Sequence, residues 1–575
     1  MSFAQASTAT TPEHELDQKV RAVRAKADEF ARLPAAEKAS LLAELMPRLH
    51  AVAEDWVNAA CRYKGIDPNS PTAAEEWLAG PVITMRDVRL LHRTIDTIAK
   101  TGTPPIGAVR TRSDGRVEVE VFPTDAHDKA LFAGFSGKCL MQPGLDEKAV
   151  RGKQASHYQD LKAGKPQKGS VSLILGAGNV SSIPPTDTIY KMFGEGRACV
   201  LKMNPVNEYV GPFLERAFEP LIRRGYFAVT YGAGDVGKFL VEHDAIDDIH
   251  ITGSDKTHDF IVWGPPGPDR ERRKRENDPV LKKSITSELG NVSPVAIVPA
   301  AYSDGELEFM ARNVASMVQN NGSFNCNAAK ILITAKDWPQ AGRFRDLLRR
   351  SMKTMPVRKA YYPGALDRYT QLLEGRPQVE RFGDHKDGTL QWAFVPGLDP
   401  ANDKETLFFT EPFCGILSEV SLPESQPTQF LAAATRFMND RLWGTLNAAI
   451  FIHPGLEKDA AIAAALDRAV IDLRYGTVAI NHWPALGYGF VSPPWGGHPS
   501  ATLGDIQSGL GWVHNTYLLE GIEKSVVRGS LTVKPTPAWF FDNKTAHQLG
   551  KKLVDFEAAP SWWKVPAMAI TALRG

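Results

Sequence analysis

The sequence of 575 residues has few cysteines, no excess of either charge and no long apolar run. Its five cysteines (Cys61, Cys139, Cys199, Cys326 and Cys414) are widely spaced and form no CxxC pair, which argues against a disulfide framework and a structural zinc site. Lysine and arginine (67) nearly balance aspartate and glutamate (66), so no nucleic-acid partner is expected. No apolar stretch reaches the roughly 20 residues that a membrane span requires.

Targeting and metal-binding signals are also lacking. The first residues do not show the charged-then-apolar order of a secretory signal, and we predict a cytoplasmic protein in a reducing compartment. The 14 histidines show no paired-ligand spacing. Glu242-His243-Asp244 has the composition of a metal cluster, but its position at a predicted helix end favours a solvated surface, and we predict no metal site.

The spacing of apolar residues predicts an α/β protein. Helical spacing covers residues 13–58 and 72–100, and residues 117–122 alternate as a half-exposed strand. From residue 171 short apolar strands alternate with helices, which predicts a parallel sheet covered on both faces. The predicted strands of this part are 171–175, 198–201, 227–230 and 249–251, with helices over 211–224 and up to His243.

Two stretches stand apart from this pattern. Residues 264–283 combine proline and glycine with interleaved acids and bases, which predicts a solvent-exposed insertion. The C-terminal tail contains a possible strand, Leu531-Thr532-Val533-Lys534, and a Trp562-Trp563 pair near its end. This tail could lie on a partner subunit or, less favoured, on a membrane surface.

Cys326 is the cysteine with the strongest chemical signal. It lies in a turn rich in glycine and asparagine (320–330), between a helical pattern and the apolar strand 331–333. Such a turn can expose a thiol to a cleft, and the thiolate is a strong nucleophile near neutral pH. The alternative is a small buried side chain, which is the usual role of a free cysteine.

The order of several motifs resembles that of the aldehyde dehydrogenase superfamily, from about residue 20 to about residue 525. The motifs, in chain order, are Lys202 at a strand end, Thr252-Gly253-Ser254, Glu288-Leu289-Gly290-Asn291, Cys326, Glu411-Pro412-Phe413, Tyr475–Asn481 and Pro494-Trp495-Gly496-Gly497. The resemblance implies a Rossmann-like cofactor domain (1–115 and 145–286) and an α/β catalytic domain (287–528). It also implies a β oligomerisation arm with a C-terminal extension (116–144 and 529–575), and hence a homodimer or homotetramer.

The resemblance assigns three catalytic roles. Cys326 matches the nucleophile that adds to the aldehyde. Asn179 matches the asparagine whose amide, with the backbone N–H of the cysteine, holds the resulting oxyanion. Glu288 matches the general base that activates water against the thioester. Acylating relatives, which pass the acyl group to coenzyme A, commonly lack this glutamate, so Glu288 favours release of a free acid.

The cofactor implied by the resemblance is NAD or NADP. Ser254, after Gly253, matches the serine at the pyrophosphate, and Lys202 matches the lysine at the adenosine ribose. Glu411 matches the glutamate at the nicotinamide ribose, and Phe413 is expected near the nicotinamide. The run Lys202-Met203-Asn204-Pro205 lacks the usual acid of this motif, which leaves NAD against NADP open.

Other departures from the family pattern are Asn291 in place of a second glycine, His258 in place of a glycine, and Cys414-Gly415 in place of Gly-Pro. The aldehyde is left open by the sequence. Four aromatic residues, Phe324, Trp443, Trp483 and Trp495, indicate either an apolar tunnel or ordinary core packing. An acylating dehydrogenase and a non-catalytic binding protein that retains the fold are the two alternatives to aldehyde oxidation.

Overall fold

The computed structural model describes residues 9–575; residues 1–8, where the predicted cofactor domain starts, lie outside it. Strands, numbered in chain order, are β1 (Val109–Thr111), β2 (Val117–Phe122), β3 (Ser136–Met141), β4 (Val171–Leu175), β5 (Ala198–Lys202), β6 (Phe227–Thr230), β7 (Asp248–Gly253), β8 (Ser284–Leu289), β9 (Pro294–Ile297), β10 (Ile331–Ala335), β11 (Arg358–Lys359), β12 (Glu380–Phe382), β13 (Thr389–Leu390), β14 (Trp392–Leu398), β15 (Ile416–Leu422), β16 (Asn447–Phe451), β17 (Thr477–Ile480) and β18 (Ile522–Arg528). The α-helices are α1 (Glu13–Arg32), α2 (Ala35–Lys64), α3 (Ala74–Trp77), α4 (Ile83–Thr101), α5 (Ala126–Leu131), α6 (Glu147–Lys153), α7 (Ser156–Lys162), α8 (Ile183–Ile189), α9 (Gly211–Ala217), α10 (Glu219–Arg223), α11 (Gly234–Glu242), α12 (Asp255–Trp263), α13 (Pro268–Glu276), α14 (Asp304–Gln319), α15 (Ala341–Thr354), α16 (Ala365–Leu373), α17 (Thr406–Phe409), α18 (Pro427–Arg441), α19 (Ala460–Asp472), α20 (Ala485–Phe490), α21 (Ala546–Ala558) and α22 (Val565–Leu573).

The first large sheet is parallel throughout and has the strand order β6-β5-β4-β7-β8. Its strands are nearly continuous apolar runs because helices cover both faces. The chain reverses direction across the sheet at β4, so the carboxyl ends of β4 and β7 meet at a topological switch point. The predicted strands 171–175, 198–201, 227–230 and 249–251 are confirmed, with β5 and β7 slightly longer than expected.

The second large sheet has eleven strands in the order β1-β2-β3-β18-β17-β16-β9-β10-β15-β14-β12. Its centre, from β18 to β14, is parallel. The antiparallel strands β1 to β3 extend one edge, with β3 paired to β18. One parallel sheet and a second sheet with a parallel centre, together with their covering helices, confirm the predicted α/β class. The predicted domain limits and the oligomerisation role of the arm stay predictions.

The N-terminal helices differ from prediction at their ends. Helix α2 continues beyond residue 58 to Lys64 and ends at Gly65, whose φ of 67° suits a residue without Cβ. The predicted helix 72–100 is interrupted at residues 78–82, where Gly80 has non-helical angles and Pro81 follows. A proline lacks the N–H that a helix interior needs, so the chain divides here into α3 and α4.

Three further expectations are corrected or confirmed. The predicted helix 211–224 is divided at Phe218, ahead of Pro220, into α9 and α10. The predicted strand 531–534 is wrong, because Leu531 instead packs into the hydrophobic core around the second large sheet while Val533 faces a cavity. The predicted exposed insertion 264–283 is confirmed, since its helix α13 has no buried residue.

The C-terminal extension folds back onto its own chain. Helix α21 packs on α2, α3 and α4. The approach is close at Gly550, where an added Cβ would lie 2.5 Å from Cβ of Trp77. Trp563 stays 93% exposed. No helix within residues 9–575 is long and apolar enough to cross a membrane.

Candidate active site

The turn that carries Cys326 begins where helix α14 ends. Asn321 and Gly322 take left-handed angles, with φ of 54° and 65°, and turn the chain back toward β10. Cys326 is half-buried and lines a cavity of about 530 Å³, whereas the other four cysteines are buried. Ser293 Oγ donates a hydrogen bond of 2.9 Å to the Cys326 carbonyl. The Cys326 N–H makes no hydrogen bond within the described chain.

Glu288, at the carboxyl end of β8, lies beside the Cys326 thiol. Burial and the nearby Asp187 carboxylate raise the pKa of Glu288 to about 8, while contact with the Cys326 thiol partly offsets the rise. Burial and Glu288 in turn hold the pKa of the Cys326 thiol well above its usual value. At neutral pH the pair is therefore mainly a thiol next to a protonated carboxyl group, and only the ionised fraction of Glu288 can accept the thiol proton.

Asn179 reaches the same turn from the end of β4. Its Nδ2 donates a hydrogen bond of 3.0 Å to the carbonyl of Phe324, two residues before Cys326. An amide nitrogen has two N–H groups, so one donor remains for another acceptor. The structure thus brings Asn179, Glu288 and Cys326, which are far apart in sequence, to one place.

A set of buried ion pairs supports this turn, and sequence reasoning missed it. Lys64 Nζ lies 2.8 Å from Glu76 and donates to Asn179 O (3.2 Å) and Asn321 Oδ1 (2.9 Å). The Glu75 carboxylate accepts the N–H of Asn321 at 3.0 Å and pairs with Arg358 at 2.9 Å. Arg358 is 283 positions from Glu75, and Lys64 and Glu76 are 12 positions apart, so the pairs follow no periodic pattern.

Lys330 ties the turn to the predicted cofactor residue Glu411. Its buried ammonium donates to the carbonyls of Asn325 (2.7 Å) and Ala328 (3.1 Å) and lies 3.2 Å from Glu411 Oε1. Burial raises the pKa of Glu411 in spite of this cation. A Cβ at Gly290 would lie 1.8 Å from Glu411 Oε2, so a larger residue there would displace the Glu411 carboxylate from its present position.

The other predicted cofactor residues lie at the carboxyl edge of the parallel sheet. Gly253 pairs in register with Leu289, the neighbour of Glu288. Ser254 caps α12, accepting the N–H of Thr257 at 3.2 Å. Burial lowers the pKa of Lys202 to about 8, and its ammonium makes no hydrogen bond within residues 9–575.

This edge fits a nicotinamide dinucleotide. A Cβ at the exposed Gly253 would meet nothing closer than 3.7 Å, which leaves the N-terminus of α12 open to a phosphate. The Lys202 cation lies at the end of β5, where a ribose would lie in such a sheet. Phe413, with φ of 45°, packs on Tyr362 at 4.9 Å between ring centroids.

The departures from the family pattern have structural roles of their own. Asn291 Nδ2 donates to Asn447 O at 2.9 Å, and its Oδ1 lies 2.9 Å from Ser293 Oγ, which places Asn291 between β16 and the Cys326 turn. His258 is fully buried in α12, and Cys414 is buried in the hydrophobic core around the second large sheet. No group of three or more metal-ligating side chains is present in residues 9–575. His243, predicted to be solvated, is instead buried and lies 3.1 Å from Asp17.

Of the four aromatic residues noted in the sequence, Trp483 lines the cavity at Cys326, and its Nε1 donates to Asn327 O at 2.6 Å. Phe324 is buried behind the turn, with its ring centroid 4.8 Å from that of Tyr361. Trp495 is fully buried next to Glu288. Trp443 is half-buried outside the cavity wall.

The fold and the site together define an α/β protein with two large sheets. Its Cys326 lines a cavity close to the carboxyl edge of a parallel sheet, and this edge fits a dinucleotide. Solved structures show which fold this is. The aldehyde dehydrogenase KauB from Pseudomonas aeruginosa is 17% identical, with a TM-score of 0.61 over 91% of this chain and 90% of that chain. The NADP-dependent glyceraldehyde-3-phosphate dehydrogenase from Bacillus halodurans, solved with NADP, is 16% identical, with a TM-score of 0.60 over 90% and 92%.

Glyceraldehyde-3-phosphate dehydrogenase GapN from Methanocaldococcus jannaschii is 15% identical, with a TM-score of 0.58 over 90% of this chain and 95% of that chain. No family model and no curated protein matches the sequence. The chain therefore has the aldehyde dehydrogenase fold, as the order of its motifs predicted.

Proposed function

We propose that this chain oxidises an aldehyde to a carboxylic acid with NAD or NADP, through a covalent adduct on Cys326. The observation that carries the proposal is the position of the half-buried Cys326 thiol at a cavity, with the Glu288 carboxyl group beside it. The likeness to NAD(P)-dependent aldehyde dehydrogenases supports the reaction class.

Addition to the aldehyde needs a thiolate. Because the pKa of the Cys326 thiol is raised, its proton must pass to a neighbouring base, and the ionised form of Glu288, whose share grows as the pH rises toward 8, is the base proposed to accept it. The sulfur then bonds to the carbonyl carbon, and the carbonyl oxygen gains the negative charge. The N–H of Cys326 and the second N–H of Asn179 are the donors proposed to stabilise that oxyanion.

When bound, the oxidised dinucleotide supplies the two-electron acceptor that converts the adduct into a thioester. Lys202, Gly253, Ser254, Glu411 and Phe413 are the residues proposed to hold it. Glu288 is then proposed to release the proton of the thiol to solvent, so that its carboxylate can take a proton from water, whose oxygen attacks the thioester carbon. The carbon–sulfur bond breaks, the acid leaves, and the thiol regains a proton.

The presence of Glu288 beside the thiol favours hydrolysis over transfer to coenzyme A. Incubation of the purified protein with an aldehyde panel and each nucleotide tests the proposal. We expect reduced nucleotide and free acid without added coenzyme A. Acyl-CoA formed only when coenzyme A is added would favour an acylating dehydrogenase. Nucleotide binding without turnover of any aldehyde would favour a non-catalytic protein.

A further inference from the structure

The cavity at Cys326 is walled on one side by the C-terminal extension. Residues 533–539 and side chains of helices α21 and α22 line it, together with residues of α3, α4 and the α20 segment. Met568 is buried in this wall, whereas Leu573 lines the same cavity and is 72% exposed. The cavity therefore runs from the thiol to solvent at the end of α22.

The wall is apolar along most of this path. The lining from the extension includes Trp539, Leu549, Leu553, Met568 and Leu573, and the lining from the N-terminal helices includes Leu78, Val82 and Ile83. Its volume of about 530 Å³ lies within the roughly 300–1,000 Å³ of small-molecule sites. An apolar ligand buried there gains free energy for each group removed from water.

Charged groups in the wall already have partners on the chain. Arg86 lies 2.8 Å from Asp128 and 2.8 Å from Glu557 of α21, and it also donates to Phe490 O. Glu75 is paired with Arg358. Lys534 is exposed at the rim. A substrate carboxylate or phosphate would thus meet no unpaired buried cation in this wall.

We propose that the C-terminal extension forms one wall of the substrate tunnel and selects aldehydes that carry an apolar chain. This inference rests on the proposed function for the aldehyde group itself. The Glu557–Arg86 pair and the close packing of Gly550 on Trp77 fix α21 in place, so the wall is part of the folded enzyme.

The test compares one substitution at two positions of α22. Ala572 lines the cavity, whereas Ala567 is exposed on the same helix outside the cavity wall. In the wild type we expect kcat/KM to rise up to about 4-fold per methylene along a series of linear aldehydes from propanal to dodecanal. A572W should lower kcat/KM for dodecanal by about 10-fold or more and leave propanal within about 2-fold, because the indole excludes several methylenes. A567W should leave the whole series unchanged.

A binding measurement separates this inference from the proposed function. Dodecan-1-ol, which cannot be oxidised as an aldehyde, is titrated into wild type, A572W and A567W by calorimetry. Binding weakened by A572W alone supports the tunnel even if no aldehyde is turned over, in which case only the proposed function fails. Aldehyde turnover independent of chain length, equal effects of the two variants, or preference for an aldehyde bearing a carboxylate or phosphate would overturn the tunnel. Unaltered dodecanol binding in A572W would overturn it as well.

Discussion

The buried carboxyl group of Glu288 should make the protein less stable as pH rises. Its folded pKa of about 8 lies above the ordinary glutamate value of 4.5, so the folded state binds the proton more tightly than the unfolded state. Between these pH values the unfolded state binds fewer protons, and the free energy of unfolding falls with pH. At about 1.36 kcal/mol per pKa unit, the loss reaches at most about 5 kcal/mol above pH 8.

The substitution Glu288→Gln removes this titration while keeping the shape and an amide donor. We expect E288Q to unfold at a higher temperature than wild type at pH 8.5, with a difference that shrinks toward pH 5, where the wild-type side chain is protonated. Differential scanning calorimetry from pH 5 to 9 measures the difference.

The matched control is Glu557→Gln, another buried glutamate, which holds Arg86 and Arg89. E557Q removes one of the two carboxylates that pair with the buried Arg86, leaving Asp128 alone, and should destabilise across the whole pH range. If the stability of E288Q relative to wild type does not change between pH 5 and 9, the carboxyl group is not desolvated, and the argument for a raised pKa fails.

The activity of the wild type should change with pH in the opposite direction to its stability. We expect kcat to rise with pH through about 8, and we expect E288Q to lose both that rise and turnover.

Three further variants test the rest of the site. C326A should abolish turnover while nucleotide still binds, as shown by fluorescence titration; residual wild-type turnover would remove the nucleophile assignment. N179A should lower kcat by about 100- to 1,000-fold with nucleotide affinity unchanged, because it deletes one oxyanion donor; an equal loss of nucleotide affinity would instead indicate a collapsed turn. K64M should destabilise the protein by about 3–5 kcal/mol in chemical denaturation, since Glu76 would stay buried without its cation; K162M, an exposed lysine, is the control and should change stability little.

The parallel strands were predictable because buried strands of this kind are continuous apolar runs bounded by turns. Residues 171–175 and 198–202 show this pattern plainly. The dipeptide Gly80-Pro81 is a signal for a helix break, because it seldom continues a helix. The helical periodicity on both sides nevertheless predicts one continuous helix, so the break was not predicted. Element types were therefore predicted better than element ends.

Two parts of the site could not be read from local sequence. Glu75 and Arg358 are 283 positions apart, and a buried ion pair at that separation leaves no periodic signal. Leu531 and Val533 are apolar at alternate positions, as in a strand, but Leu531 packs into the hydrophobic core and Val533 lines the cavity, and neither belongs to a sheet. In both cases the deciding information is tertiary. The order of the motifs predicted that Asn179, Glu288 and Cys326 lie close together, but it did not predict the buried ion pairs that stabilise the Cys326 turn.

The side chain of Asn321 makes four of the hydrogen bonds that stabilise the Cys326 turn. A left-handed conformation costs a residue other than glycine about 1 kcal/mol or more, although asparagine tolerates it better than most. Here Asn321 offsets that cost with bonds from every polar atom of its side chain: Lys64 and Tyr361 donate to Oδ1 at 2.9 Å each, and Nδ2 donates to Asn179 O at 2.9 Å and to Phe324 O at 3.1 Å. Glycine at this position would accept the angles but lose the bonds to both Asn179 and Phe324. The asparagine thus fixes the proposed oxyanion donor and the nucleophile turn against each other, which backbone freedom alone would not do.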